Sequence, residues 1–269
     1  MQKDIFQKIE EAGKPDFGDI LTRSFEFFKL VWQEGLVHAL ITMVLMLPVM
    51  ITIYVPYVAF FFSAGAFNNY NHDGEYYSQE YMEPDFLLYL PWIILFGAVV
   101  FVLIFIAQAV ALAITAHFFK VCKKIDTGKP QDVGGYFYYL KHGNFKKMFL
   151  LALASFGIAL AATLLCYFPL FYVMVPLQLL VVIFVFNEDL SVSEIIKASF
   201  KLGHKFWLII FGLIIVSSLI AQLGILLCFV GVFITAYFVH IPIYFVYKDT
   251  IGFNDDPLVV EPHSKSSNQ

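Results

Sequence analysis

Residues 148–187 read MFLLALASFGIALAATLLCYFPLFYVMVPLQLLVVIFVFN, forty positions without one Asp, Glu, Lys or Arg. A helix rises about 1.5 Å per residue, so about 20 apolar residues cross the ~30 Å hydrocarbon layer of a bilayer. The stretch is too long for one crossing and right for two. Tyr167-Phe168-Pro169 divides it, because proline cannot continue a helix from the turn before it. Spans are expected near 148–167 and 170–187.

Three more charge-free stretches flank it: Leu36 to His72, Phe86 to Phe119, and Phe206 to Tyr247. The first two each hold one span, near 36–62 and 88–117. The last holds two, near 206–225 and 229–247, with the reversal between Gly224 and Gly231. The composition agrees. The chain is 60% hydrophobic and 14% charged, whereas a soluble domain is about a quarter charged. Its 31 Phe exceed what one water-soluble core of this length hides, so the excess faces lipid. The net charge of -4 carries no nucleic-acid footprint.

Orientation follows from the basic residues. Lys3, Lys8, Lys14, Arg23 and Lys29 precede the first span. Lys120, Lys123, Lys124, Lys129, Lys141, Lys146 and Lys147 lie between the second and third. Lys197, Lys201 and Lys205 lie between the fourth and fifth, and Lys248 and Lys265 follow the sixth. These are all 17 Lys and Arg, on one side of a six-span arrangement, and the positive-inside rule makes that side cytoplasmic. The loop from Ser63 to Asp85 carries five acidic residues and no basic one, which puts it outside. The charged first ~35 residues lack an apolar run, so the first span is expected to act as its own insertion signal.

A pattern recurs before spans one, three and five. The first copy reads Asp19-Ile20-Leu21, Ser24-Phe25 and Trp32; the third reads Glu194-Ile195-Ile196, Ser199-Phe200 and Trp207, at identical spacing. The middle copy is looser: Asp132-Val133, Phe137-Tyr138 and Phe145. Ser191 and Glu194 have capping-box spacing, and Asp16 can cap the first copy. Phe17, Ile20, Leu21, Phe25 and Phe28 fall on one helical face. The expected fold is all-α: six transmembrane helices as three hairpins, each introduced by a cytoplasmic amphipathic interfacial helix, near 16–34, 131–142 and 191–204. Residues 1–253 form one membrane domain, and 254–269 are expected to be a disordered tail.

Small residues at i and i+4 are expected where spans pack: Ala107 and Ala111, Ala109 and Ala113, Gly157 and Ala161, Ser217 and Ala221. Pro48, Pro176 and Pro242 fall inside spans and predict kinks or broken backbone hydrogen bonds. No carboxylate, Lys or Arg lies within a span. The intramembrane polar candidates are Gln108, Gln178 and Gln222, with Thr163 and Thr235, and His117 and His240 near the cytoplasmic ends of spans two and six. Neither histidine has a second ligand at i+4, so no metal site is expected. Cys122, Cys166 and Cys228 lack metal spacing and read as apolar fillers, with a Cys166–Cys228 disulfide as an alternative. Metalloprotease, serine-hydrolase and phosphate-loop motifs are absent from the sequence, so no catalytic residue and no cofactor is expected.

Glu188-Asp189-Leu190-Ser191, Glu194, Lys197, Ser199 and Phe206-Trp207, then Gly224, Gly231, Pro242 and Tyr247, form a pattern. With Phe17-Gly18-Asp19-Ile20-Leu21 and Ser24-Phe25, it resembles six-span bacterial membrane proteins of the YciC-like type and the membrane domain beside glycerophosphodiester phosphodiesterases. The resemblance implies a bacterial cytoplasmic membrane and no set activity. The soluble phosphodiesterase barrel of some relatives has no counterpart in this chain.

Three functions compete. The leading expectation is a non-enzymatic structural or regulatory partner of a membrane complex or lipid environment, its partners being membrane lipids and a further protein. The second is a permease for a neutral or amphiphilic solute, which requires a cavity lined by Gln108, Gln178 or Gln222 near a proline break. The third is a membrane-embedded lipid enzyme, which requires His117 and His240 to converge with Asp132 or Glu194.

Overall fold

The computed structural model describes residues 4–63, 86–130, 132–141, 144–165, 168–226 and 230–253. Among them the chain is helical, without strands. The helices are α1 (Ile5–Glu11), α2 (Phe17–Ser63), α3 (Phe86–Thr127), α4 (Asn144–Leu164), α5 (Phe168–Phe186), α6 (Val192–Lys205), α7 (Trp207–Leu223), α8 (Val230–Thr235) and α9 (His240–Thr250). Short 3-10 segments lie at Tyr138–Leu140, Gly224–Leu226 and Ala236–Val239. Five helical segments are long and apolar enough to cross a membrane, and six if α6 and α7, bent by 93° at one break, are counted together. The 17 residues of α7 contain no charge. They reach about 26 Å at 1.5 Å per residue, and the 3-10 segment after them adds length.

Each boundary has a local cause. Helix α4 stops at Leu164 and α5 starts at Phe168, with Pro169 at its second position, where a missing N–H costs least. Gly128, at φ 63, ends α3 in the left-handed conformation that glycine tolerates. From Gly231 onward the chain is α, then 3-10, then α, and Pro242 accounts for the change: it offers no N–H to Phe238, four residues earlier. Pro48 and Pro176 lie inside α2 and α5.

Two departures from the sequence reading concern the segments expected at the interface. Residues 17–34 are not a separate helix; they run without a break into the first apolar stretch, making α2 a 47-residue helix. No proline interrupts the run before Pro48, and Gly35 packs against Tyr237, where an added Cβ would sit 3.2 Å from the Tyr237 Cβ. Residues 131–142 do not form a helix among the described positions; they form turns and the 3-10 segment. Pro130 and the Gly134-Gly135 pair, with Gly134 at φ 68, explain why. Helix α3 also continues ten positions past the expected end of span two, and α9 three past that of span six. Cys166, Cys228, the 64–85 loop and the 254–269 tail lie outside the described residues.

The core sits around α5 and α9, whose buried residues run from Leu179 to Val185 and from Ile241 to Tyr247. Helices α2, α3 and α4 enclose them and turn Val44, Ile51, Trp92, Ile94 and Leu164 outward. Where these helices are charged, they are tied together. Arg23 of α2 forks onto Asp249 after bonding Asp19 at 2.8 Å. Lys248 reaches Asp126 of α3 at 2.6 Å, and the Tyr244 hydroxyl donates to the same carboxylate at 2.7 Å. Lys120 pairs with Glu188 at 2.9 Å, the Tyr139 hydroxyl donates to Glu188 at 3.0 Å, and Lys147 donates to the Glu188 carbonyl at 2.5 Å. Burial first, and Glu188 next, push the Tyr139 phenol far above its ordinary range, so it serves as a donor only.

Candidate functional site

Helix α3 presents Ile104, Gln108, Ala111, Thr115 and Phe119 at steps of three and four, which places them on one stripe, with Phe105 and Leu112 beside it. Opposite stand Ala152, Ser155, Phe156 and Ala159 of α4, and Leu177, Gln178 and Val181 of α5. Alanines at 111, 152 and 159 are too small to close the gap. A cavity of about 460 Å³ remains, and His240 at the start of α9 completes its wall. Size and mixed lining are those of a small-molecule site, which is mostly apolar with a few placed polar groups. Gln108 is exposed at its mouth and Gln178 is half-buried. Neither amide has a hydrogen-bond partner among the described residues, so both are free to bind a ligand. The Ser155 hydroxyl donates to the Leu151 carbonyl at 2.7 Å and keeps acceptor capacity.

The proline break is adjacent. Pro176 lies two residues before Gln178 and cannot satisfy the Tyr172 carbonyl. The indole N–H of Trp207 donates to that carbonyl at 3.2 Å instead. Gly203 of α6 meets the same proline, where an added Cβ would sit 3.1 Å from the ring. His204 Nδ1 lies 3.1 Å from the Tyr172 hydroxyl. The elbow between α6 and α7 is thus seated on the turn of α5 that the proline opens.

Behind the cavity lies a second polar group. His38 is fully buried; its Nδ1 is 2.6 Å from the Glu34 carbonyl, and its Nε2 is 2.8 Å from Nδ1 of His117. Nε2 of His117 is 3.3 Å from the Gly134 carbonyl. Tyr136, Phe118 and Tyr237 set their rings around His38 at centroid distances of 5.0, 5.3 and 5.5 Å. The Tyr237 hydroxyl lies 3.1 Å from Thr42 and also bonds Thr115 of the cavity wall. Its ring is 5.2 Å from that of His240.

Of the expected site residues, Gln108, Gln178 and His240 therefore share one cavity. His117 stands apart, in the histidine pair. Gln222 is exposed on α7 and outside this wall, a position that follows from its place past the buried Ser217 face. Thr235 ties α8 to α7 by donating to the Ala221 carbonyl at 2.7 Å, and Thr163 donates to Ala159 within α4 at 2.8 Å. The carboxylates of the enzyme reading are engaged elsewhere: Asp132 accepts from the Gly134 N–H at 2.9 Å and Glu194 from the Ser191 N–H at 2.8 Å. No group of three metal ligands occurs among the described residues. His38, Thr115 and Ser155 were not singled out by the sequence reading. His38 carries a usable signal, since an ionisable ring in a charge-free stretch is a site candidate by default.

Fold and site together define a protein that is all-helical among its described residues, with five to six helices of membrane length and a mostly apolar cavity carrying a few polar groups among three of them. No family model, no curated protein and no solved structure matches the chain.

Proposed function

We propose that this protein is a six-span integral membrane protein that binds an uncharged or amphiphilic molecule in the cavity between α3, α4 and α5, as a permease or lipid carrier. One observation carries the reading. Gln108, Gln178 and His240 come from three helices and meet at one cavity whose remaining lining is apolar except for Thr115 and Ser155. A molecule with a hydroxyl or amide head would pair with the glutamines, and its apolar part would lie against Phe105, Phe156 and Leu177. The site carries no charge for an ionic head. Each amide hydrogen bond contributes about 0.5–1.5 kcal/mol net. Of the three functions the sequence leaves open, this is the one whose stated requirement, glutamines on a cavity near a proline break, the geometry supports.

The reading places the three helix pairs as hairpins, with both termini in the cytoplasm of a bacterial cell and the chain in its cytoplasmic membrane. It takes residues 17–34 and 192–205 as segments at the cytoplasmic interface. It is supported by the one-sided basic residues and by the ion pairs that join the charged ends. A single cysteine replacing Lys129 in a cysteine-free background is then labelled from the cytoplasmic side, and one replacing Ser78 from outside; the reverse pattern rejects the orientation.

The binding claim is tested by isolating the full chain in lipid discs and identifying retained small molecules by mass spectrometry. The comparison is with the Gln108→Leu, Gln178→Leu double variant. We expect one class of neutral or amphiphilic molecule on the wild type and about tenfold less on the variant, since two lost hydrogen bonds come to about 1.4 kcal/mol or more. Equal retention, or retention of nothing by either, rejects it.

A further inference from the structure

The hydrogens of the two stacked imidazoles can be counted. The Glu34 carbonyl can only accept, so His38 Nδ1, 2.6 Å away, carries a hydrogen. The Gly134 carbonyl can only accept, so His117 Nε2, 3.3 Å away, carries another. The two remaining nitrogens face each other at 2.8 Å, too close for two bare lone pairs, so a third hydrogen lies between them. Two neutral imidazoles carry two hydrogens in total. Serving all three contacts as hydrogen bonds thus takes one proton more than the neutral pair carries.

A buried charge is costly unless its surroundings favour it. Here two carbonyl oxygens cap the ends of the pair. Tyr136 packs edge-on or tilted against both rings, at 5.0 and 4.8 Å, and Phe118 and Tyr237 flank His38, so the pair is held in place by aromatic contacts. The titratable and charged groups facing the pair are few. From α2 comes Glu34, whose carboxylate acts on Tyr136 and Cys122. From α3 come Lys120, which is turned to Glu188 at 2.9 Å, and buried Cys122. From the loop come Tyr136 and Asp132, and from the last span Tyr237 and His240.

We propose that His38 and His117 form a buried proton-binding site that holds one proton between the rings, and that this proton latches residues 132–136 onto the end of α3. With the proton present, His117 donates to the Gly134 carbonyl while His38 and His117 stay bonded. When the proton leaves, two hydrogens must serve three bonds, and the weakest, the 3.3 Å bond to the loop, is the one given up. Asp132 holds the Gly134 N–H at 2.9 Å, so the turn moves as a unit, while Tyr139 keeps the far end of the loop on Glu188. The site stands apart from the cavity reading, and its failure leaves that reading intact.

The test uses the full chain in bilayers with nitrogen-15 histidine. Solid-state NMR counts imidazole hydrogens and detects coupling across the N–H–N bond from pH of roughly 5 to 9. The expected result is three hydrogens on the coupled pair at the acid end and two at the alkaline end. Amide exchange at 133–136, corrected for its intrinsic pH dependence, rises about tenfold over the same change. A pair with the same hydrogen count at both ends, or a change in count without a change in exchange, overturns the proposal. Gly134→Ala supplies a second arm. Its Cβ would lie 2.8 Å from the Tyr138 ring at a left-handed φ of +68°, so the acceptor shifts. The proton then leaves at lower pH in this variant; an unmoved transition counts against the latch. The wild-type titration needs no variant to fold.

Discussion

Residues 16–34 and 191–207 begin alike and end differently. Asp16 accepts the Asp19 N–H at 2.7 Å, and Ser191 accepts the Glu194 N–H at 3.3 Å. One residue past each of those donors, Ile20 and Ile195 are fully buried. Four residues further, the Ser24 and Ser199 hydroxyls, both buried, donate to the carbonyls of those isoleucines at 2.7 and 2.8 Å. Then the copies part. The first continues straight into a 47-residue helix, while the second bends by 93°. A shared motif thus sets the cap and the buried face, and what the last turn docks against sets the direction of the chain. At that turn the third copy has Gly203 on Pro176, and Lys205 donating to the Ile9, Glu10 and Ala12 carbonyls at the end of α1. The first copy has Phe28 and Leu30 in those places, neither of which can do the same.

The comparison breaks most sharply at Gly203. Gly203→Leu drives a side chain into the Pro176 ring and backbone, which an added Cβ already meets at 3.1 and 3.3 Å. Overpacking of this kind costs about 1–3 kcal/mol or more. The elbow should open and the midpoint of thermal unfolding in detergent should fall by several degrees. Phe28→Leu, the same position in the first copy, should leave it nearly unchanged. Equal losses would mean that the elbow is not held at this contact.

Next in size is the indole. Trp207→Phe keeps a ring but removes the N–H that serves the carbonyl left by Pro176, an exposed hydrogen bond that contributes about 0.5–1.5 kcal/mol net. Trp32→Phe, at the matching position of the first copy, trims a side chain that is 36% exposed and should cost about a tenth of that or less. Denaturant titration of the two variants separates them. Should Pro176→Ala rescue Trp207→Phe, by restoring an N–H four residues after Tyr172, the assignment becomes specific.

These cases show what the sequence made legible. The caps and the buried Ile and Ser positions were readable because they repeat at fixed spacing, and helical periodicity turns spacing into a face. The direction of the helix after them was not, because it depends on Pro176 and the carbonyls of α1, which are distant in sequence. The middle copy failed as a helix for a visible reason: Gly128, Pro130, Gly134 and Gly135 outweigh a few matching aromatics. In the site, Gln108, Gln178 and His240 stood out as polar groups in apolar stretches. His38 is silent there, because a neutral ring does not interrupt a stretch free of Asp, Glu, Lys and Arg. Thr115 and Ser155 carry no such mark, since hydroxyls inside helices usually bond their own backbone.

The smallest difference lies in the caps. Ser191→Ala removes two bonds, the Glu194 N–H on the Ser191 hydroxyl at 3.3 Å and the Ser191 hydroxyl on the Glu194 carboxylate at 2.6 Å, and keeps the other half of the capping box, the Ser191 backbone N–H on that carboxylate. Asp16→Ala removes one bond. Cap losses run about 0.5–2 kcal/mol, so the first should sit above the second within that range. A pH series adds the sign. The Ser191 side chain, then its backbone N–H, hold the Glu194 carboxyl below the usual carboxylate range in the folded chain. A group whose folded value is depressed stabilises fully above its unfolded value and loses that contribution as pH falls through the folded one. Unfolding of the wild type should therefore become easier between the unfolded Glu value, near 4.5, and lower pH. In Glu194→Gln this part of the slope should vanish. An unchanged slope in that variant would show that the cap does not carry the acid sensitivity.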